Sequence, residues 1–195
     1  MHELISRLYL NPAFVFELFF AKKYSTPHLS LKDITEIDMD YLKEQGIDTL
    51  LFDADNTLYK HHEYKISDPR IDEAFQILAR NFNIAIVSNN NSPDGRKKLN
   101  DYFSKYAEEN GLAIYVVQTT IKKPSDAPFD EAMEHYGTIA ERTGMVGDNT
   151  LTDIVGANHR GLKLSIKVEP LSLGKENWYF KPARYLEDRI RKKKK

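Results

Sequence analysis

The chain has 195 residues, 28 Lys+Arg against 29 Asp+Glu, a net charge of -1, 41% hydrophobic residues and no Cys. These values fit one folded domain with extensions. They exclude global disorder, a broadly basic nucleic-acid protein, a disulfide framework, a thiolate zinc site and a Cys nucleophile.

The N-terminus is apolar and aromatic: Leu4, Ile5, Leu8, Tyr9, Leu10, Phe14, Val15, Phe16, Leu18, Phe19 and Phe20 precede Lys22 and Lys23. The densest run carries Glu17 and falls short of the ~20 apolar residues of a membrane span. Its basic residues follow the apolar run, whereas a secretory leader begins with them, so a cytoplasmic location is expected. Residues 1–45 are expected to form a helical extension that packs on the core or on a membrane surface.

Residues 46–170 alternate strand and helix patterns. Thr49-Leu50-Leu51-Phe52 is a short apolar run of strand type ending at Asp53. Ser67-Asp68-Pro69 gives a capping side chain and a first-turn proline, and Ile71, Ala74, Phe75 and Leu78 then repeat on one helical face. Ile84-Ala85-Ile86-Val87 is a second strand, and Leu99, Tyr102, Phe103 and Tyr106 mark a second helix stopped at Asn110-Gly111. A strand over 112–117, a helix through Phe129, Ala132, Met133 and Tyr136, a strand over 144–146, a short helix over 153–159 and a strand over 162–168 complete the pattern. Single helices between strands predict a parallel sheet, whose ligands bind at the carboxyl ends of the strands. Residues 171–195 form a C-terminal segment. Its last fifteen residues hold eight basic and two acidic side chains, for +6.

The polar residues gather at the expected strand ends. Asp53-Ala54-Asp55-Asn56-Thr57 puts two carboxylates on one side of an extended chain, where they repel unless a cation or proton intervenes. Ser88-Asn89-Asn90-Asn91 offers a hydroxyl and amides for a phosphate. Lys122-Lys123-Pro124 supplies a point charge for an anion. Gly147-Asp148-Asn149-Thr150-Leu151-Thr152-Asp153 offers the oxygens a hard cation wants. Singly, each is an ordinary turn or helix cap. Together they bring acid, hydroxyl and amine to four strand ends of one sheet.

This order resembles the haloacid dehalogenase-like (HAD) phosphatase superfamily. The string Gly147-Asp148 with Thr152-Asp153, Gly156, Asn158 and Gly161 is similar to its YqeG-type branch, which includes mitochondrial phosphatidylglycerophosphate phosphatases. Ala54 departs from that branch, which usually has a larger aliphatic residue there. The resemblance implies a HAD-type Rossmann-like three-layer α/β sandwich with a central parallel sheet. It implies Mg²⁺-dependent phosphomonoester hydrolysis through an aspartyl-phosphate. Asp53 would be nucleophile and Asp55 general acid and base. Ser88, Asn89 and Lys123 would bind the phosphate, with the Lys-Pro junction favouring Lys123 over Lys122. Asp53, the Asp55 backbone carbonyl and Asp148 would hold the metal, with Thr57 and Asp153 in support.

Ten residues, 58–67, separate the first motif from the next helix, and one helix and one strand fill 88–123, so no substantial cap domain is expected. An open site suits a phosphate displayed on something large, such as a lipid phosphomonoester, with phosphatidylglycerophosphate the leading candidate. The aromatic N-terminus and basic C-terminal segment suggest peripheral contact with the inner face of a membrane. Nucleic acid is not expected as a partner. Open alternatives are a soluble sugar phosphate, nucleotide or phosphoprotein as substrate, or a non-catalytic binding protein for RNA, ribosome or membrane on the same fold.

Overall fold

The computed structural model describes residues 22–172 apart from His62 and Asn91. The expectations placed on 1–21 and 173–195 fall outside the described residues.

Alternation along β2 (Thr49–Phe52) organises the molecule. All four of its residues are buried, as a central parallel strand requires. Leu50 and Phe52 face one layer, where they meet α3 (Pro69–Asn81) and α4 (Pro93–Asn110) through Ile71, Phe75, Leu78, Leu99 and Phe103. Leu51 faces the other layer, against Phe129, Ala132 and Met133 of α5 (Ala127–Tyr136) and Ala157 of α6 (Val155–Arg160). Period-2 side chains thus give two cores, one on each side of the sheet.

The remaining strands are β1 (Leu29–Leu31), β3 (Asn83–Ile86), β4 (Ile114–Val116), β5 (Thr143–Gly147) and β6 (Leu164–Val168). Their order is β1-β6-β5-β2-β3-β4, with every pair parallel. The chain winds outward from β2 through β3 and β4, then returns to β2's other side at β5. That reversal makes the crevice between β2 and β5 the place where a ligand meets loops rather than crossovers. Phe52 pairs with Val146, so residues 53 and 147–148 leave the sheet side by side.

The structure adds an edge strand beyond the five that the pattern predicts. Leu29–Leu31 pairs with Ile166–Val168, preceded by α1 (Lys22–Ser25) and followed by α2 (Met39–Glu44), which Asp38 caps. Three residues are too few to show an alternation, so this strand was invisible in the periodicity. Segment 58–67 contains no helix or strand among its described residues, and no cap domain is evident there or between β3 and β5.

Candidate active site

Asp53 continues the ladder one residue past β2, its N–H donating to Val146 C=O at 2.9 Å. Its side chain lies on the same side of the sheet as Leu51, toward α5 and α6. Lys123, in the segment leading into α5, comes from that side. Its Nζ is 2.7 Å from Asp53 Oδ1 and 2.7 Å from Asp153 Oδ1, and its side chain is buried. Lys122 is half-buried, so of the two lysines it is Lys123 that reaches the carboxylates. The Lys123–Pro124 peptide is cis.

Asp153 is fully buried inside a π-helical turn, Thr150–Ile154, that leads into α6. Its Oδ2 accepts from Asn149 N–H at 3.0 Å, and its Oδ1 accepts from Thr152 Oγ1 at 3.1 Å. The residue expected only as a support to a metal site therefore also anchors Lys123. Helix capping falls to Asn149, whose side chain accepts from Leu151 and Thr152 N–H. Asp148 is buried at the end of β5, and its carbonyl accepts from Lys167 Nζ at 2.8 Å. Lys167, at the neighbouring end of β6, was not singled out in the sequence. The alternation of β6 was its only signal.

Asp53, Asp148 and Asp153 each bring a carboxylate oxygen within 4.8 Å of the others. Burial pushes the Asp53 carboxyl well above its ordinary value; Lys123 opposes this, while Asp153 and Asp148 add to it. Burial alone would pull the Lys123 ammonium down, but Asp153 and Asp53 outweigh it and hold its pKa at about 12. Three buried carboxylates converge here, and Asp153 and Asp148 both act on Asp53 as like charges. An all-oxygen, anionic donor set of this kind fits a hard divalent cation.

Asp55 lies two residues beyond Asp53, partly exposed, with His61 Nδ1 3.6 Å from its Oδ1. It stands outside the cluster of three carboxylates, and its expected metal contact was through the backbone carbonyl alone. Asn56 adopts φ 62° between Asp55 and Thr57, a left-handed turn that Asn tolerates, and its N–H donates to Tyr59 C=O at 2.7 Å. Thr57 is buried, but its hydroxyl makes no hydrogen bond among the described residues.

Ser88 follows β3 and accepts from Asn90 N–H at 3.2 Å, an ordinary Ser turn. Asn89 reaches across to the lysine segment. Its side-chain oxygen accepts from Lys123 N–H at 2.8 Å and its side-chain nitrogen donates to Lys123 C=O at 3.0 Å. That amide grips the lysine's main chain, and the backbone N–H and second Nδ2 hydrogen of Asn89 are not used in these two bonds.

Comparison with known proteins finds relatives over most of the chain. The family model for mitochondrial PGP phosphatase matches residues 12–171. The chain is 32% identical over 169 residues to phosphatidylglycerophosphate phosphatase 1, chloroplastic/mitochondrial, of Arabidopsis thaliana, covering 85% of this chain and 47% of that protein. It is 31% identical over 142 residues to the protein named Probable phosphatase YqeG of Bacillus subtilis, covering 72% of this chain and 75% of that one. Among solved structures, 2-haloacid dehalogenase from Pseudomonas syringae pv. Tomato superposes with a TM-score of 0.45 at 19% identity, covering 68% of this chain and 90% of that one. The chain thus spans about half the length of the plant relative.

Proposed function

The chain belongs to the mitochondrial PGP phosphatase family, and from that premise we propose that it is a phosphomonoester hydrolase working through an aspartyl-phosphate on Asp53. The observation that carries this reading is the buried Lys123 ammonium, 2.7 Å from both Asp53 and Asp153, at the switch point of the sheet. Simple binding of an anion does not require a carboxylate there.

In the first step, an Asp53 oxygen attacks phosphorus as the bond to the leaving alcohol breaks opposite. Asp55, on the same strand end, donates the proton that the alkoxide needs. In the second step a water attacks the acyl phosphate, Asp55 takes its proton, and Asp53 and inorganic phosphate separate. Lys123 holds the attacking carboxylate and presents its charge to the phosphoryl oxygens, and the Ser88 hydroxyl donates to another. Asp153 keeps the ammonium from swinging away. Asp53, Asp148 and the Asp55 backbone carbonyl would hold Mg²⁺, which supplies Lewis-acid compensation for the charge of the phosphoryl group. A carboxylate approaching a phosphate dianion needs that compensation.

The substrate is proposed to be a lipid phosphomonoester of the phosphatidylglycerophosphate type. The names of the relatives support it, as does an edge with no cap domain evident among the described residues to enclose a small metabolite. Turnover of phosphatidylglycerophosphate in mixed micelles should exceed that of a panel of sugar phosphates, nucleotides and phosphopeptides. Asp53→Asn should abolish it without loss of fold. Faster turnover of the soluble panel would remove the lipid reading, and activity retained in Asp53→Asn would remove the mechanism.

A further inference from the structure

β6 carries one charged residue, Lys167, among the buried Leu164, Ser165, Ile166 and Val168. Lysine is depleted from strands, and this strand is covered on both faces, with Ser165 and Ile166 fully buried. Alternation says where the side chain goes. Leu164, Ile166 and Val168 share the layer of Leu50 and Phe52, so Lys167 leaves on the other side, that of Leu51 and Asp53. Its partners on the neighbouring strands are Ser30 of β1 and Gly147 of β5. Both are small, which leaves room for a long stem to run toward the carboxyl edge. The space a Cβ would take at Gly147 is filled by the Asp153 carboxylate. Lys167 thus stands one strand away from the carboxylate cluster, and β6 itself packs on the Thr150–Ile154 turn.

Asp148 lies one residue past the last paired position of β5, Gly147 with Lys167. Its carboxylate nonetheless meets those of Asp53 and Asp153. Lys167 Nζ donates to Asp148 C=O at 2.8 Å. Such a charge-assisted bond is stronger than one between neutral groups. It anchors the peptide whose Cα bears the Asp148 side chain, just where strand pairing stops.

We propose that Lys167 is a positioning residue for the divalent-cation site: its ammonium holds the Asp148 peptide so that the carboxylate points at the ion. Lys167 has this role only if Asp53 and Asp148 hold the cation, so it rests on the reading above. Charge and anchoring act with opposite signs here. An ammonium near a cation repels it, so by charge alone its removal would tighten Mg²⁺ binding. Groups that orient a metal ligand from behind act the other way, and their loss weakens the ion.

Lys167→Met keeps the stem and loses the donor, and Lys167→Arg restores a charged donor. Thermal unfolding of the full chain is followed across a Mg²⁺ series with no substrate present. In chelator, both variants should keep the native near-ultraviolet circular dichroism. Lys167→Met should need about tenfold more Mg²⁺ than wild type for the same rise in Tm, and Lys167→Arg should recover most of that loss. Loss of the native spectrum in Lys167→Met would make the lysine a folding residue and overturn the positioning role. An unchanged or lower Mg²⁺ requirement in Lys167→Met, or an equal loss in both variants, would overturn it too. Hydrolysis of a soluble aryl phosphate gives a second readout. At saturating Mg²⁺, Lys167→Met should match wild type in KM; a raised KM there would make Lys167 a phosphate ligand instead. Wild type that gains no stability from Mg²⁺ would remove the cation site and this role together. Equal gains in wild type and Lys167→Met would remove this role alone.

Discussion

Asn89 grips the main chain of Lys123 at two points, accepting from its N–H at 2.8 Å and donating to its C=O at 3.0 Å. The pair resembles one rung of a parallel ladder made by a side chain. It fixes the root of a long, flexible lysine whose tip must meet two carboxylates. Asn89→Ala removes both bonds and leaves two backbone groups to find water. A loss of about 1–3 kcal/mol in urea unfolding is expected, with kcat falling more than KM rises. Unchanged kcat would show that Lys123 does not need this hold.

Lys123→Met keeps the bulk of the side chain and removes its charge. Asp53 and Asp153 would then face each other, buried, without a cation. The expected cost is about 3–5 kcal/mol, partly recovered in the double variant Lys123→Met, Asp153→Asn. Thermal unfolding of both variants in chelator checks this; no recovery in the double variant would contradict the charge argument.

Divalent cation should stabilise the folded chain. At 100 times its dissociation constant a ligand adds about 2.7 kcal/mol, so Tm should climb with Mg²⁺ concentration. Asp148→Asn removes one of the three clustered carboxylates. It should raise the Tm measured in chelator and abolish the Mg²⁺-dependent rise. A rise that survives in Asp148→Asn would move the ion elsewhere.

The sign of the pH dependence follows from the raised Asp53 carboxyl. Between the ordinary 3.8 and its folded value, the native chain binds more protons than the unfolded chain. This contribution to stability is full below 3.8 and is lost as pH rises through the raised value. In chelator, wild type should therefore lose more stability than Asp53→Asn as pH rises above 3.8. Parallel curves in a pH series of urea melts would refute the shift.

Gly156 marks a close approach. A Cβ there would lie 2.7 Å from Phe129 Cζ and 3.1 Å from Pro124 Cα. Gly156→Ala should cost about 1–3 kcal/mol and lower kcat by pushing the segment that bears Lys123 away from α6. Gly147 is similar, since its Cβ would collide with the Asp153 carboxylate. Gly147→Ala should therefore impair turnover more than it impairs folding, as activity and melting on one preparation would show.

Much of this was legible in the residues. β2 and the helix from Pro69 were expected almost in place, because a four-residue run of strand type and a capped i, i+3, i+4, i+7 face are local signals. Asp53, Lys123, Asp148 and Asp153 were legible as a group, because a parallel sheet sends every strand end to one edge. Less legible was anything settled by a partner far along the chain. β1 exists because β6 offers an edge, and three residues carry no period of their own. Asn89 was expected to serve the phosphate as part of the polar run that begins at Ser88. That its amide would meet residue 123 depends on how two loops cross. The same holds for the Asn56 turn, whose companions Leu171 and Ser172 lie more than a hundred positions away.

The order of the strands has a consequence for the nascent chain. β2 can pair with β3, and β3 with β4, as soon as residues 49–116 have emerged. The other flank of β2 stays bare until β5 arrives at 143. During synthesis Asp53 therefore sits at the rim of a half-built sheet, lacking both Lys123's companion Asp153 and Asp148. Chemical competence would appear abruptly, once β5 and Asp153 have emerged, and a ribosome-stalled product ending before β5 should be catalytically silent while already binding the antibody or probe that recognises the paired strands β2, β3 and β4.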